Sequence, residues 1–322
     1  MVMPSGHPQP GTGQVQGENE LELINRGNRL DRNPLWAQSL IHLVLIVLTL
    51  ITLLPILNVV AMSFSEAHAI YSNPLMIIPE QFTLEAYNYI FATPILLRSF
   101  MVTAFATVVG TSFNLFVTIM GAYALSKTAL PGGRFLLWVC IFPMMFGPGL
   151  IPMYMLFKEI KLLDSIWVLV VSGLVVPFYL ILMRNFFWSI PDELEEAMRI
   201  DGASDMGILW KMVIPLSKPA IATVGLFYAV GHWNDFFTGL FFINDNTKWP
   251  LQVLLRSIII DMNALNMRGV GTAISQDSNK IMLTPENIKA ATIVFAVTPI
   301  VLVYPFLQKY FVKGIMLGSV KG

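Results

Sequence analysis

Four side chains with hydrogen-bonding or aromatic groups follow one another in an otherwise apolar part of the sequence: His232, Trp233, Asn234 and Asp235. Amide and carboxylate groups can replace the hydrogen bonds that water makes to sugar hydroxyls, and aromatic rings can cover the apolar faces of a sugar ring. The same residue types also form hydrogen bonds between packed helices and aromatic belts at membrane surfaces. The pattern therefore allows two interpretations, the lining of a ligand path or a structural junction between helices.

A second group of candidate residues lies in the charged stretch from Ser189 to Ala220. Ser189 and Asp192 fit the S-x-x-D capping box that starts a helix, and the acidic residues after Asp192 lie where the helix dipole favours negative charge. Gly202 can adopt the positive φ with which helices commonly end. The first predicted helix therefore ends at Gly202. Its apolar face carries Leu194, Ala197 and Met198.

Ser204 is placed to cap a second helix in the same stretch. An apolar stripe at helical spacing is predicted on it: Met206, Leu209, Trp210 and Val213. A solvated loop with incidental charge would explain the composition alone. Two capped helices with apolar faces, joined by a glycine elbow, are instead typical of a segment that docks into a groove on a partner.

The remaining sequence offers little for catalysis or cofactor binding. No G-x-x-x-x-G-K-[ST] motif occurs and the dipeptide Gly-Lys is absent, so the chain has no P-loop of its own. No paired-cysteine or H-E-x-x-H pattern is present, the four histidines are scattered, and Cys140 is the single cysteine. A membrane enzyme would need a carboxylate pair, a Ser/His/Asp group or a histidine-bound metal. We therefore expect no catalytic residue, metal or cofactor in this chain.

The elements that hold these residues are predicted to be membrane-spanning helices. The chain has 322 residues, of which 55% are hydrophobic and 12% charged, and its formal net charge is zero. Soluble domains carry about 25% charged residues, so lipid is the simplest solvent for this chain, and the neutral balance argues against a nucleic-acid partner. Six stretches have the roughly 20 apolar residues that a span needs: Trp36–Ser63, Ser99–Ser126, Phe135–Phe157, Ile166–Phe187, Val213–Ile243 and Ile288–Tyr310.

The third stretch contains the segment from Pro143 to Pro152, whose prolines and glycines predict a kinked or interrupted span. Lysine and arginine concentrate in one set of connections, such as those around Lys127, Arg184 and Lys211. The positive-inside rule then places both termini in the cytoplasm, and the connections 64–98 and 244–287 outside. An even number of spans agrees with this orientation.

Three further polar residues lie inside the predicted spans: His42, Asn58 and Asn114. A polar group in hydrocarbon is costly unless it finds a partner. We expect these three side chains to form hydrogen bonds between helices rather than to contact a ligand.

The first 33 residues differ in composition from the rest, because Gly, Pro, Gln, Asn and charged residues dominate them. This composition predicts a polar cytoplasmic tail that is disordered or loosely docked. The tail is too polar to begin a cleaved signal peptide, so the first apolar stretch is expected to remain as a membrane anchor. Residues 34–322 are predicted to form one all-α membrane domain with six transmembrane helices, in which residues 189–215 connect spans four and five.

The connection between spans four and five resembles the EAA loop of binding-protein-dependent ABC importer permeases, whose pattern is E-A-A-x3-G-x9-I-x-L-P. The positions that match in register are Glu196, Ala197, Met198, Gly202, Met212, Ile214 and Pro215. The two methionines and Ile214 depart from the consensus in size rather than in polarity. The residues around this loop and the stretch from Tyr310 to Gly322 also resemble the maltose-permease-like branch, which takes up carbohydrates.

The resemblance implies a complex with a second homologous permease subunit, two ABC ATPase subunits and an extracytoplasmic solute-binding protein, in the bacterial cytoplasmic (inner) membrane. ATP and magnesium would bind to the ATPase subunits, and this chain would translocate an oligosaccharide. The helix from about Asp192 to Ser204 would be the coupling helix, seated in a cleft of the ATPase. The residues implied in this contact are Glu195, Glu196, Ala197, Met198, Asp201, Gly202 and Ala203.

A narrower resemblance concerns the substrate. The segment from Trp233 to Leu255 and the sequence around Arg268 and Pro285 look like a subgroup that handles polysaccharide fragments, including fragments with uronic acids. Three alternatives stay open: an ion-coupled secondary transporter, an ABC permease for a solute other than a sugar, and a structural scaffold. Secondary transporters often contain inverted repeats. We find no convincing repeat in this sequence, and that alternative leaves the two docking helices unexplained.

Overall fold

A computed structural model of the protein describes residues 35–267 and 284–318. Within these ranges the regular structure is helical, apart from an isolated β-bridge between Ser65 and Phe82. The predicted tail of residues 1–33, the sequence around Arg268 and the last four residues of the chain lie outside the described residues. The prediction of a helical protein is confirmed for the described part.

The described helices follow one another along the chain, and α10 contains a π-helical turn, Leu209–Val213. Their bounds are α1 Leu35–Ser63, α2 Ala67–Ser72, α3 Glu85–Ala92, α4 Pro94–Ser126, α5 Gly133–Met145, α6 Leu150–Glu159, α7 Trp167–Val171, α8 Pro177–Trp188, α9 Asp192–Ile200, α10 Asp205–Leu216, α11 Lys218–Trp233, α12 Phe237–Phe242, α13 Leu251–Met267 and α14 Pro285–Gly318.

The chain divides into two compact units, Met1–Leu57 and Asn58–Gly322. Most of α1 belongs to the first unit, and its 29 residues include no Asp, Glu, Lys or Arg. The hydroxyl groups of Thr49 and Thr52 donate to backbone carbonyls one turn earlier, at 2.7 Å and 3.0 Å. An apolar surface whose few polar groups bond to their own backbone is suited to hydrocarbon.

Helix α4 is the central helix of the second unit. Its 33 residues make it about 50 Å long at 1.5 Å per residue. Its buried face consists mainly of small or hydroxyl-bearing residues, including Ser99, Thr103, Ala106, Gly110, Asn114, Thr118 and Ala122. Helices α8 and α11 pack along α4. Small residues at such contacts allow helix backbones to approach closely, which is a principal source of packing energy between helices in lipid.

The largest buried apolar cluster lies between α4, α8, α10 and α11. It contains Tyr123 of α4, Met183 and Phe187 of α8, and Ile208 and Leu209 of α10. Helix α10 belongs to the connection that the sequence predicts to be a docking segment, so part of this connection is built into the core.

Two of the predicted spans are sharply bent. The chain bends by 118° between α5 and α6, and the residue before α6 is Gly149 with φ of 76°. Pro143 lies inside α5, Pro148 lies in the bend itself, and Pro152 lies in the first turn of α6. The predicted interruption of the third span is therefore confirmed. The chain bends by 83° between α10 and α11.

Three helices of the described part are long and apolar enough to cross a membrane: Trp36–Ser63, Pro94–Ser126 and Pro285–Val303. The two bent pairs raise this number to five if each pair counts as one span. The fourth predicted span, Ile166–Phe187, is not a continuous helix, because α7 and α8 are separated by residues 172–176. The fifth predicted stretch is also divided, since α11 ends at Trp233 and α12 begins at Phe237.

Asn58 is one of the three polar residues predicted to link helices, and it bonds instead to a loop. Its amide donates to the carbonyls of Pro74 and Met76 at 3.1 Å and 2.8 Å. The ring of His42 contacts the carbonyl of Gln38 in its own helix at 2.6 Å. Asn114 does join separate segments, since its amide lies within hydrogen-bond distance of Gly173 and His232.

Candidate functional site

The candidate coupling segment begins directly after α8. Pro191 is the N-cap of α9, and no side chain caps this helix. The predicted capping box of Ser189 and Asp192 is therefore wrong. The hydroxyl of Ser189 donates to the carbonyl of Phe186 at 2.7 Å, and its backbone N–H also bonds to carbonyls of α8. Ser189 is thus engaged in ending α8 and cannot cap α9.

The glycine elbow forms as predicted. Gly202 has φ of 82°. Its N–H donates to the backbone carbonyl of Arg199 at 3.0 Å, and the N–H of Ala203 donates to the backbone carbonyl of Met198 at 2.9 Å. This pair of hydrogen bonds is the Schellman motif, which ends a helix on a residue with left-handed backbone. The hydroxyl of Ser204 then accepts from the N–H of Gly207 at 3.2 Å. The predicted cap of the second helix is confirmed.

Two kinds of contact fix the elbow to the rest of the protein. Ile208, Leu209 and Val213 are buried in the apolar cluster between α4, α8 and α11. On α9, Glu195 forms an ion pair with Lys127, which follows the last residue of α4. The acids of α9 are therefore not equivalent, because Glu195 is already engaged within the chain.

The predicted apolar stripe of the second helix is divided between two faces. Leu209 and Val213 are buried, whereas Met206 and Trp210 are half exposed. Leu209, Trp210 and Val213 lie in a π-helical turn, Leu209–Val213. A π turn adds a residue to the turn and changes which residues share a face, so a pattern based on 3.6 residues per turn does not apply here.

A continuous surface of the segment remains exposed. Of the seven residues implied in coupling, Glu196, Ala197, Asp201 and Gly202 are exposed, and Glu195, Met198 and Ala203 are partly buried. Leu194 and Ile200 add apolar surface, with 45% and 86% of their area accessible. An apolar side chain as exposed as Ile200, on an acidic helix whose neighbour α10 is buried in the core, is suited to contact another protein.

His232 lies in a buried junction between helices. Its Nε2 is 3.1 Å from the Nδ2 of Asn114, and that amide also donates to the carbonyl of Gly173 at 3.4 Å. The ring packs directly against Gly110, where a Cβ atom would lie 2.6 Å from Nε2. Asn114 therefore links α4 to α11 and to the segment after α7, and the predicted structural role of this asparagine is confirmed.

Trp233 is also turned inward. Its indole N–H donates to the carbonyl of Ala296 in α14 at 3.1 Å, and its ring packs edge-on against Phe100 with centroids 5.8 Å apart. Its own carbonyl accepts from the amide of Gln252 at 3.4 Å. The structure thus gives Trp233 a packing role between α4, α11, α13 and α14.

Asn234 and Asp235 lie in the short turn between α11 and α12. Asn234 is exposed, and its amide donates to Val230 in the preceding helix at 2.9 Å. Asp235 is partly buried, and its Oδ1 accepts from the N–H of Thr238 at 3.1 Å in the first turn of α12. The four consecutive polar and aromatic residues therefore separate into two that face neighbouring helices and two at a helix end.

The interruption of the fourth predicted span at residues 172–176 was not predicted from the sequence. Gly173 has φ of 75°, and Pro177 is the first residue of α8. The hydroxyl of Tyr228 accepts from the N–H of Val176 at 3.1 Å and is 2.8 Å from the hydroxyl of Thr118. The available signal was a Ser-Gly pair shortly before a proline in an apolar stretch, a combination typical of turns.

A polar cluster joins the connections after α6 and α12. The Oδ1 of Asp164 accepts from the backbone N–H groups of Asn244 and Asp245 at 3.1 Å and 2.9 Å, and Lys248 lies 3.4 Å from Asp245. Hydrogen bonds from the side chain and the backbone of Thr247 hold the pKa of Asp245 below its usual value. Among the described residues, no group of three or more His, Cys, Asp or Glu could hold a metal ion.

Comparison with known proteins places this arrangement in a family. Residues 43–317 match the family described as binding-protein-dependent transport system inner membrane component. The chain is 48% identical over 271 residues to Protein LplC of Bacillus subtilis strain 168, which covers 84% of this chain and 90% of that protein. It is 44% identical over 283 residues to YtcP of the same organism, the permease protein of a polygalacturonan/rhamnogalacturonan transport system, with coverage of 88% and 97%.

A solved structure shares the same architecture. The crystal structure of a bacterial ABC transporter involved in the import of the acidic polysaccharide alginate contains a chain 34% identical to this one. The two chains superpose with a TM-score of 0.78, over 85% of this chain and 96% of the other. The family match spans most of the sequence, the two relatives are matched over nearly their whole length, and the fold agrees. The chain therefore belongs to the inner-membrane permease components of binding-protein-dependent ABC transport systems.

Proposed function

We propose that this chain is one of two transmembrane subunits of an ATP-driven importer for oligosaccharides that contain uronic acids. A solute-binding protein delivers the oligosaccharide from outside the cytoplasmic membrane. ATP and magnesium bind to two ATPase subunits, and this chain carries no cofactor. The observation that supports this function best is the capped elbow, whose exposed face is held in place from behind by buried residues of α10.

The elbow is suited to mechanical coupling because its geometry is fixed at each end. Glu195 pairs with Lys127 near the end of α4, and Leu209 and Val213 anchor α10 in the core. The Schellman turn at Gly202 fixes the angle between the two helices. When ATP closes the ATPase dimer, the exposed residues Glu196, Ala197 and Asp201 follow the ATPase surface. The anchored side then transmits this movement to α4, α8 and α11 as a rigid-body displacement.

The proposed topology has six spans with both termini in the cytoplasm. Helices α1, α4 and α14 are the first, second and sixth spans, the bent pair α5–α6 is the third, α7 with α8 is a broken fourth, and α11 with α12 is the fifth. Helix α10 belongs to the coupling segment on the cytoplasmic side. The support for this orientation is the enrichment of lysine and arginine on one side of the spans, in the connections that carry Lys127 and Lys211 and near the end of α8, which carries Arg184. A reporter that is active only in the cytoplasm should therefore be active when it is fused to the C-terminus. A reporter that is active only outside the cytoplasm should be inactive at the same position.

The proposed substrate class follows from similar proteins. YtcP belongs to a polygalacturonan/rhamnogalacturonan system, and the structurally similar importer takes up the acidic polysaccharide alginate. Polygalacturonan is built from a uronic acid, so the two systems share carboxylate-bearing sugars. We extend this shared chemistry to the present chain.

The test is substrate-stimulated ATPase activity of the purified complex with its binding protein, reconstituted in lipid. Trigalacturonate, an alginate trisaccharide and maltotriose would be compared, with carboxyl-reduced trigalacturonate as the matched neutral control. Stimulation by the uronates alone is expected. Equal stimulation by the reduced sugar would refute the uronate assignment, and stimulation by no sugar would refute the carbohydrate assignment. Uptake driven by a proton gradient without the ATPases would favour an ion-coupled transporter instead.

A further inference from the structure

Residues 172–176 interrupt the proposed fourth span where a continuous helix would be expected. Helix α7 ends at Val171 and α8 begins at Pro177. Proline has no N–H to donate, and the left-handed backbone of Gly173 cannot continue an α-helix. The interruption is therefore a consequence of the local sequence. We refer to residues 172–176 as the 172–176 break.

The break lies beside the middle of the long helix α4. Asn114 donates to the carbonyl of Gly173, and it lies four residues from Gly110, the central residue of α4. Four residues correspond to about 6 Å along a helix axis. Because α4 is one of the helices long and apolar enough to cross a membrane, the break lies deep in the hydrocarbon layer when α4 spans it.

Several backbone groups of the break have no hydrogen-bond partner in the described ranges. The N–H of Val176 and the carbonyl of Gly173 are paired with side chains. The carbonyls of Ser172, Leu174 and Val175 accept no hydrogen bond from any described residue. The Oδ1 of Asn114 is likewise buried without a donor. Three backbone acceptors and a side-chain acceptor thus lie together at this depth.

Irregular backbone does not face lipid within a membrane, because its polar groups would be left without partners. It occurs only where other protein covers it or where it lines a water-filled cavity. Gly173 is exposed, and no atom lies within 4 Å of the position that a Cβ would take. The neighbouring groups are polar, since the hydroxyl of Ser172 is 3.5 Å from that of Thr238. The N–H of Thr238 in turn donates to Asp235.

We propose that the 172–176 break lines the translocation path and that its free carbonyls accept hydrogen bonds from substrate hydroxyls. This inference rests on the proposed uptake of an oligosaccharide. A sugar carries many hydroxyl donors, and a short row of fixed carbonyls provides acceptors whose position does not depend on flexible side chains. Carbonyl oxygens repel carboxylates, so the break contacts the hydroxyl-bearing part of a uronate and leaves its charge to other groups.

The break also makes His232 and Asp235 part of one site, although they are not side by side. His232 positions Asn114, which bonds to Gly173. Asp235 bonds to the backbone of Thr238, whose side chain lies next to Ser172. Neither residue needs to touch the sugar itself to influence the path. Both are positioning residues in this proposal.

The experiment uses the single cysteine of the chain. In a Cys140→Ser background, Ser172→Cys places a thiol of nearly the same size at the break, and the complete importer is reconstituted with its binding protein. Labelling by a charged, membrane-impermeant methanethiosulfonate reagent is measured with and without trigalacturonate. The matched control is Ser112→Cys, because Ser112 lies among apolar side chains of α4 such as Leu115 and Phe116. The hydroxyl of Ser112 donates to the carbonyl of Val108 within its own helix.

We expect Ser172→Cys to be labelled at least tenfold faster than Ser112→Cys and to be protected by trigalacturonate but not by an untransported sugar. Equal, slow labelling of both thiols would overturn the proposal and would mean that another helix covers the break. Labelling without protection would also overturn it, because the break would then be hydrated without contacting the sugar. Uptake by the Cys140→Ser parent is measured separately, so that a failure of the proposed function is recognised independently.

Discussion

Replacement of Gly202 by valine should uncouple ATP hydrolysis from uptake while leaving the protein in the membrane. Gly202 has φ of 82°, and no atom lies within 4 Å of the position of a Cβ. The cost of a side chain here is therefore backbone strain rather than collision. A left-handed backbone costs an L-residue about 1–2 kcal/mol, and for a β-branched residue the conformation is a genuine outlier.

A penalty of about 2 kcal/mol lowers the population of the native elbow by a factor of roughly 30 relative to competing conformations. Because α9 and α10 would then no longer keep their fixed angle, we expect at least a tenfold loss of uptake per ATP hydrolysed. Gly202→Asn is the informative comparison, since asparagine tolerates the left-handed region. It should retain activity within about twofold, because its strain is only a fraction of that of valine.

The assay is uptake per ATP hydrolysed in proteoliposomes that contain the whole complex. The control is Gly132→Val, because Gly132 also has a positive φ, 75°, and no atom near its Cβ position, but lies in the turn before α5. Full coupling in Gly202→Val would refute the role of the elbow. An equal loss of uptake per ATP in Gly202→Asn and Gly202→Val would show that side-chain bulk at the contact matters rather than backbone geometry. An equal loss in Gly132→Val would show that the effect is general destabilisation.

Three further substitutions test two buried junctions and the turn after α11. Gly110→Ala places a Cβ 2.6 Å from His232 and should destabilise the protein by about 1–3 kcal/mol through overpacking. The control Gly231→Ala meets no atom within 4 Å and should leave the thermal stability unchanged or slightly raised. Tyr228→Phe removes the acceptor of the Val176 N–H and should cost about 1–3 kcal/mol. The control Tyr179→Phe should cost less, since that ring is held by aromatic packing, and equal melting temperatures would contradict this account. Asp235→Asn keeps an oxygen that can accept from the Thr238 N–H and should therefore preserve stability. It should tighten the binding of trigalacturonate relative to its carboxyl-reduced form, because a negative charge is removed from the path. Unchanged selectivity between the two sugars would mean that Asp235 only caps a helix.

Features set by a few neighbouring residues could be predicted from the sequence. The elbow at Gly202 and the cap at Ser204 each depend on residues within about four positions, because the Schellman motif and the N-cap are local hydrogen-bond patterns. The interruption between Pro143 and Pro152 was predictable for the same reason. The sequence also contained the family pattern that begins at Glu196.

Features that depend on distant partners could not be predicted in this way. Ser189 fits a capping box, but its hydroxyl bonds to Phe186 in the preceding helix, and the two uses compete for one side chain. The 172–176 break is stabilised by Tyr228, which is 52 residues away from Val176. Periodicity could not assign the inward orientation of Trp233 either, since its partner Ala296 lies 63 residues further along the chain.

A single short helix joins the 172–176 break to the coupling elbow. Helix α8 begins at the 172–176 break and ends shortly before the coupling elbow, and its 12 residues span about 18 Å. Its inner face packs through Met183 and Phe187 into the same buried cluster that holds Leu209 and Val213 of α10. A displacement of the elbow therefore cannot be absorbed within α8, because a close-packed core transmits displacement rather than deforming continuously. Under the proposed function, α8 moves with the elbow and carries the break with it, so that the hydrogen-bond acceptors facing the sugar change position when the ATPases close.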